Sequence, residues 1–341
     1  MVADSMSMLR RFFMSRKNVF FVFVFLFLAA SFSTYIYFFY TGQLKRLHTI
    51  VLLGNPTLVV SRAEGERIVT VVSLPQALLF DGVRGYGRYS LEALLRLGDI
   101  DRVGGQLVSG TLSESLAVPI DGYIGKKDES DKKSPSGERI TTKISKFFCS
   151  VRCIYTFIRH REYLTDLSLA SYIRFSFLFN GLSESDIKFI DVKEKNIVKQ
   201  SEESDGLTVE VFDTKKFDAY MPNIFEERLL RKEALRVRVI NATTTVGLGE
   251  KFARKLSRFG ALPVAVESAE DRELKRCELI GTNSKQSLYS LTAKYIAEVY
   301  DCFINDRESP DTRVDLTVRV GAMYESRYLP LREALRQIPR R

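Results

Sequence analysis

Residues 19–40 read VFFVFVFLFLAASFSTYIYFFY, 22 residues without one charge. Such a stretch goes either into a protein core or into lipid. About 20 apolar residues cross the hydrocarbon layer as a helix. A core helix keeps a polar face toward water, and this segment has none. Arg10, Arg11, Arg16 and Lys17 precede it, against the single acid Asp4. Positive flanks favour retention of that end in the cytoplasm. Tyr35, Tyr37 and Tyr40 gather at the far end, where aromatic rings suit the membrane interface. The competing reading is a cleaved signal peptide with its cut near Ala29-Ala30-Ser31. Signal cores run about 7–15 residues, however, and this apolar run continues past that point. The sequence therefore predicts a cytoplasmic N-terminus (1–18), a transmembrane helix (19–40) and an extracytoplasmic body, in a single-pass protein of the cell membrane.

The 341 residues are 45% hydrophobic and 27% charged. That supplies ordinary cores, and the length fits two domains beyond the anchor. The formal charge is +9, but no long basic run follows the anchor. The mildly basic body is either a solvated surface or one that meets acidic headgroups or anionic wall polymers. No nucleic-acid recognition motif appears, so nucleic acid is not an expected partner. Four cysteines are too few for a disulfide scaffold. Cys149 and Cys153 would share a helix face, with no histidine or second pair to complete a zinc site. Cys277 and Cys302 open two predicted strands, and a bond between them is permitted outside the cell. His160, in RHRE, has no Ser or Cys nucleophile motif beside it.

Along the body, TIVLLGNPTLVVSR and RIVTVVSLPQALLF are β-branched, apolar runs that read as buried strands. DGVRGYGRYS reads as a loop. Two helices punctuated by Gly98 and Gly104-Gly105 come next, then a short strand in PIDGYIG. The charged stretch 126–139 is a low-complexity loop. Residues 168–179 carry a helical pattern, IKFIDV a strand, and KQSEESDG a surface loop. A second domain opens near Ala234. There LRVRVINA alternates as a half-buried strand, and the order of elements is βαββαββ over about 90 residues, an ordinary size for one α/β unit.

The loop in VINATTTVGLGEKFARKLSRFG invites a phosphate reading, but no Lys-Ser or Lys-Thr follows Gly249 as a P-loop requires. Phe252 stands where the third glycine of a dinucleotide fingerprint belongs. A tight strand-to-helix turn is the expectation.

The run VRVINATTTVGLGEKFARKLSRFGALPVAVESAE resembles the C-terminal domain of LytR-type envelope proteins. The upstream stretch from VVSLPQALLF to VPIDGYI resembles the catalytic domain of the LytR-CpsA-Psr family. That domain has a strand ending in S-I-P-R-D, a glycine-rich loop, two helices and a P-I-D-x-Y strand. The resemblance covers about two thirds of the chain in order and spacing of elements. It implies a membrane-anchored α/β protein: a mixed-sheet domain of LytR-CpsA-Psr type (45–195), a linker (196–233), a smaller βαββαββ LytR C-terminal-like domain (234–323) and a basic tail (324–341).

The resemblance also implies chemistry: transfer of glycopolymer from a polyprenyl pyrophosphate carrier to peptidoglycan, with a divalent cation. Arginines and a magnesium ion held by aspartates would offset the leaving group's charge. This chain departs there. Ser73-Leu74-Pro75 stands, but Gln76-Ala77 replaces the arginine and aspartate, and the later R-x-R and D-F-G-R signatures are missing. Asp121 survives in P-I-D-x-Y. The remaining phosphate-binding candidates are Arg84 and Arg88 in the glycine-rich loop, Arg152, and the Arg159/Arg161 pair. The expectation is a protein that binds polyprenyl-linked or wall polymer, peptidoglycan or an envelope partner, with catalysis weakened or lost. Magnesium is expected only if the family activity survives. An active phosphotransferase and a non-catalytic envelope scaffold are the alternatives.

Overall fold

The structure is a computed structural model that describes residues 16–40, 47–126, 139–149, 151–159, 163–202, 206–282, 287–309 and 311–329. The chain divides into two units, Met1–Gln43 and Leu44–Arg341. In the first, helix α1 spans Arg16–Tyr40. Its described side chains, Val19–Thr34, are exposed throughout. Among the described residues no helix is long and apolar enough to cross a membrane.

The second unit begins with an antiparallel meander, β1 (Leu47–Leu53), β2 (Thr57–Ala63) and β3 (Val69–Leu74). The hairpin β4 (Leu79–Gly82) and β5 (Gly87–Ser90) leads into helices α2 (Leu91–Ile100) and α3 (Gln106–Leu116). Then come β6 (Gly122–Lys126), α4 (Ile140–Ser145), α5 (Val151–Arg159), β7 (Tyr163–Thr165), α6 (Leu169–Phe179) and β8 (Ile187–Asp191). The six-stranded sheet has the order β7-β6-β1-β2-β3-β8. Its central strands are apolar on both faces because both are covered. Val51, Val59 and Val72 meet Leu94, Leu107 and Leu112 on one face. Ile50, Val60 and Val71 meet Phe148, Tyr172 and Phe175 on the other.

Two expectations for this half are corrected. DGVRGYGRYS is the β4–β5 hairpin rather than a loop, its glycines serving the turn. Residues 196–233 are no plain linker: they hold β9 (Val198–Glu202), β10 (Thr208–Phe212), α7 (Thr214–Tyr220) and α8 (Arg228–Glu233). KQSEESDG thus includes most of an edge strand. These strands complete a second sheet, β5-β4-β10-β9. Its outward positions are polar, so little periodicity betrays it, yet Phe212 stacks on Phe80 at 5.1 Å between ring centroids.

The C-terminal module follows the expected βαββαββ order: β11 (Arg236–Asn241), α9 (Leu248–Phe259), β12 (Leu262–Ser268), β13 (Glu278–Thr282), α10 (Leu291–Tyr300), β14 (Phe303–Ser309) and β15 (Leu316–Val320). The mixed sheet runs β12-β11-β15-β13-β14. A short helix, α11 (Ala322–Glu325), packs back with Tyr324 and Glu325 buried. The region read as a basic tail therefore begins inside the core, and residues 330–341 lie outside the described residues.

All four cysteines are bonded. Cys277–Cys302 ties the entry of β13 to that of β14. Cys149–Cys153 joins the turn before α5 to that helix. The latter pair does not share a helix, because α5 starts only at Val151.

Candidate functional site

The residues after Ser73-Leu74-Pro75 hold the chain together through uncharged groups. Pro75 O accepts from Leu78 N at 3.1 Å, closing a turn, and Gln76 O accepts from Leu91 N at 3.1 Å at the start of α2. The Gln76 amide turns inward and donates to Gly54 O at 3.0 Å. Ala77 is exposed and offers no oxygen from its side chain. This turn ties three segments by neutral hydrogen bonds.

Gly98, Gly104 and Gly105 set the next element. Val103 N and Gly104 N both donate to Gly98 O at 2.8 Å. A Cβ on Gly98 would lie 2.0 Å from Gly104 O, and one on Gly105 would lie 2.6 Å from the Tyr123 ring. Only glycines allow this close turn. It sets the start of α3, which presents Gln106, Ser109, Gly110 and Ser113 on one face. With Arg84 and Arg327 that face lines a cavity of about 170 Å³. A neighbouring cavity of about 490 Å³ shares Gln106, Ser113, Ile120 and Arg327 and is also lined by Asp121, Asp166, Lys255, Tyr295 and Tyr300. The two form one cleft between the six-stranded half and the C-terminal module.

The expected site residues separate around it. Arg84 faces the smaller cavity from the β4–β5 turn, with φ 61°. Asp121 faces the larger one. Its carboxylate accepts from Thr49 N at 3.0 Å and lies 3.9 Å from Nδ1 of the buried His48. Arg88 points elsewhere, donating to Asp81 at 3.1 Å. Arg159 lies on α5 over the Tyr155 ring at 5.7 Å, and α5 packs with α6 on the opposite face of the six-stranded sheet. Arg152 is exposed on the same helix. Arg161 and His160 lie outside the described residues. Among the described residues the candidate arginines do not converge.

A magnesium ion does not fit these residues. Ala77 has no carboxylate, Asp81 is paired with Arg88, and Asp121 accepts from Thr49 N beside the buried His48. Among the described residues no three His, Cys, Asp or Glu side chains group as a metal site.

Helix α9 fastens the two halves. Arg254 donates to Glu114 O at 2.7 Å and to Ser115 O at 2.8 Å, satisfying carbonyls at the C-terminal end of α3. It also pairs with Asp218 at 2.6 Å. Arg258 joins the same Asp218, and the buried Lys255 pairs with Glu114. Burial pulls the Lys255 pKa down and the Glu114 carboxylate opposes that. Sequence reasoning missed this contact, although one signal was present. Lys255 sits in the apolar stripe Leu248, Phe252, Leu256, Phe259, where a solvated lysine would not be placed.

The loop 241–247 is a turn, as expected, and its donors are occupied. Glu325 accepts from Thr245 N at 2.7 Å and from the hydroxyls of Thr244 and Thr245 at 2.8 and 2.7 Å. Asn241 accepts from Thr243 N at 3.1 Å. A carboxylate of this chain stands where a phosphate would.

Tyr295 and Tyr300 are buried, and neither hydroxyl has a hydrogen-bond partner among the described residues. Burial raises the pKa of Tyr295, Tyr300, Tyr324 and Tyr328, and pushes Tyr172 up to about 12. A raised phenol favours the neutral form in the fold. Its stabilisation is complete below pH about 10 and is lost as pH rises through the folded value. Of the chain's 15 tyrosines, these five should yield phenolate absorbance only together with alkaline unfolding. Their ionisation near the ordinary value with the fold intact would contradict the burial.

No protein-family model matches the chain, and no curated protein matches it. Among solved structures it is similar to Bacillus subtilis TagT, at 14% identity and TM-score 0.35, over 53% of this chain and 91% of that one. It is similar to B. subtilis TagV at 10% identity and TM-score 0.37, over 53% and 96%. Over about half its length the chain resembles LytR-CPS2A-psr family structures. One of these, YwtF (TagT) with bound octaprenyl pyrophosphate lipid, shows 14% identity and TM-score 0.35 over 53% and 90%. At these values no residue role is carried over from them.

Proposed function

We propose that this is a single-pass envelope protein, N-terminus in the cytoplasm and body outside, that binds polyprenyl-linked or wall glycopolymer and transfers it poorly or not at all. Its order of elements is what the LytR-CpsA-Psr resemblance implies, with Ser73-Leu74-Pro75 at the end of β3 and Pro119-Ile120-Asp121 at the start of β6. The paired cysteines suit an oxidising compartment, and the uncharged 19–40 segment supplies the anchor. The observation that supports the binding reading is a polar cleft of about 490 Å³ lined by Pro119, Ile120 and Asp121 of the P-I-D-x-Y stretch, while Gln76 and Ala77, which do not line it, bring no charge to the turn after β3. A pyrophosphate leaving group needs cations placed where its charge grows. Here Arg159 is on the far face of the sheet and Arg88 is paired with Asp81, which disfavours the transferase alternative. The test is purification of the full chain from native membranes followed by lipid and sugar analysis. A co-purifying polyprenyl phosphate or its glycopolymer is the expected result. Clean protein lacking both, from membranes that contain them, would sink the reading.

A further inference from the structure

The helices on the second face of the six-stranded sheet carry charges that the cleft does not use. Residues 139–159 hold Arg139, Lys143, Lys146, Arg152 and Arg159 and no acid. On the inner side of this layer, Ile144 of α4, Cys153 of α5, and Tyr172, Phe175 and Phe179 of α6 pack with the strands. Its outer side is apolar as well as basic: Tyr155 and Ile158 on α5 and Leu169 and Phe177 on α6 are exposed, Ile158 at 64% and Phe177 at 78%. Cys149–Cys153 holds the start of α5, and Phe157 stacks on Tyr172 at 3.9 Å between centroids, so α5 and α6 present these side chains from one packed layer. Of the bordering acids, Glu184 accepts from Thr141 Oγ1 at 2.7 Å and Asp166 from Tyr123 N at 2.8 Å.

Scattered exposed apolar side chains are ordinary, but grouped among cations they mark a contact surface. A soluble acidic polymer would match the cations and leave the rings in water. An apolar protein face would cover the rings and strand the cations. A bilayer with anionic headgroups meets both at one surface. The chain keeps such a surface within reach. Six residues, 41–46, separate the uncharged 19–40 segment from Leu47, about 20 Å of fully extended chain. The strand that opens at Leu47 lies under this layer: Ile50 packs with Phe148 and Tyr172, and His48 Nε2 is 3.2 Å from a guanidinium nitrogen of Arg174 on α6.

We infer that the outer face of α4, α5 and α6 docks on an anionic lipid surface, with Tyr155, Ile158 and Phe177 entering the interface and the Lys and Arg side chains meeting headgroup phosphates. This docking deepens the membrane-anchored reading and rests on it for the nearness of the bilayer.

The chain contains no tryptophan, so a single introduced indole reports its own surroundings. Tyr155→Trp and Phe177→Trp are placed separately in the full chain, with Val264→Trp on the exposed edge strand β12 as the reference. Each is reconstituted in vesicles of brominated phosphatidylglycerol and phosphatidylcholine, and in brominated phosphatidylcholine alone. All three positions are exposed, so unfolding temperatures should match that of the parent. In the anionic vesicles the first two variants should emit at shorter wavelength and be quenched about twofold or more, and the reference should not. Their quenching should fall in phosphatidylcholine alone and in about 1 M salt. Equal quenching of all three, no quenching at 155 and 177, or quenching indifferent to headgroup charge and salt would overturn the docking. An emission shift with soluble polyphosphate but no quenching by lipid would also overturn it, and would assign the face to an anionic polymer. Extraction with alkaline carbonate separates the docking from the anchor. A chain that resists extraction while both variants stay unquenched keeps the anchor and loses the docking. A chain that is extracted, yet is quenched at both positions when bound to vesicles, keeps the docking and loses the anchor.

Discussion

Lys255→Ala is expected to lower the stability of the body by about 3 kcal/mol or more, because it strands Glu114 beside the C-terminal end of α3 without its cation. Lys255 is 2% exposed and the Glu114 side chain 17%. Water thus does little to replace the lost partner. An ion pair this deep is weak evidence that the pair itself stabilises; breaking it is what costs. Lys255→Met with Glu114→Gln should therefore recover most of the loss. The introduced amide keeps a polar group toward Tyr328, which contacts Glu114 in the parent, and the methionine fills the lysine's volume. Denaturant unfolding of the single and double variants reads this directly. A single variant as stable as the parent would mean that the two halves are not held at this contact. The neighbouring Arg254 and Arg258, both on Asp218, would then hold the junction alone.

Gly98→Ala should cost about 3 kcal/mol, at the upper end for overpacking. The obstacle is backbone: the added carbon would sit 2.0 Å from Gly104 O, the atom of a turn fixed by two hydrogen bonds to Gly98 itself. A flexible side chain elsewhere could step aside, but a carbonyl in a closed turn moves only with its chain. The displacement passes to Gly105 and on to Gln106, which lines both cavities. The variant should also weaken whatever the cleft binds. An unfolding midpoint equal to that of the parent would show that the turn is looser than described.

These two positions show what was legible. Gly98 and Gly104-Gly105 were visible as punctuation between helices, because glycine marks local backbone demands. The βαββαββ order was visible for the same local reason: each strand and helix of the C-terminal module carries its own period. The second sheet was not, since β9 and β10 are short and polar outward, and β10 pairs with a hairpin strand more than 100 residues earlier. The cleft was not legible either. Glu114 and Lys255 stand 141 positions apart, and Tyr295 and Tyr300 look like ordinary core residues of α10. What the sequence did carry was an anomaly, a lysine inside an apolar stripe. Gln76 and Ala77 were identified at the altered motif, and the structure adds that Gln76 now serves as a neutral tie to Gly54.

The central proposal is electrostatic: the turn after β3 carries Gln76 and Ala77 and so offers no charge to a departing pyrophosphate, while a polar cleft stands open elsewhere in the body. The direct test is a transfer assay with the full chain in lipid nanodiscs, polyprenyl-pyrophosphate-linked glycopolymer as donor, peptidoglycan as acceptor and magnesium present. Polymer retained on the protein without measurable ligation is the predicted result. Rapid, magnesium-dependent attachment of polymer to peptidoglycan would contradict it.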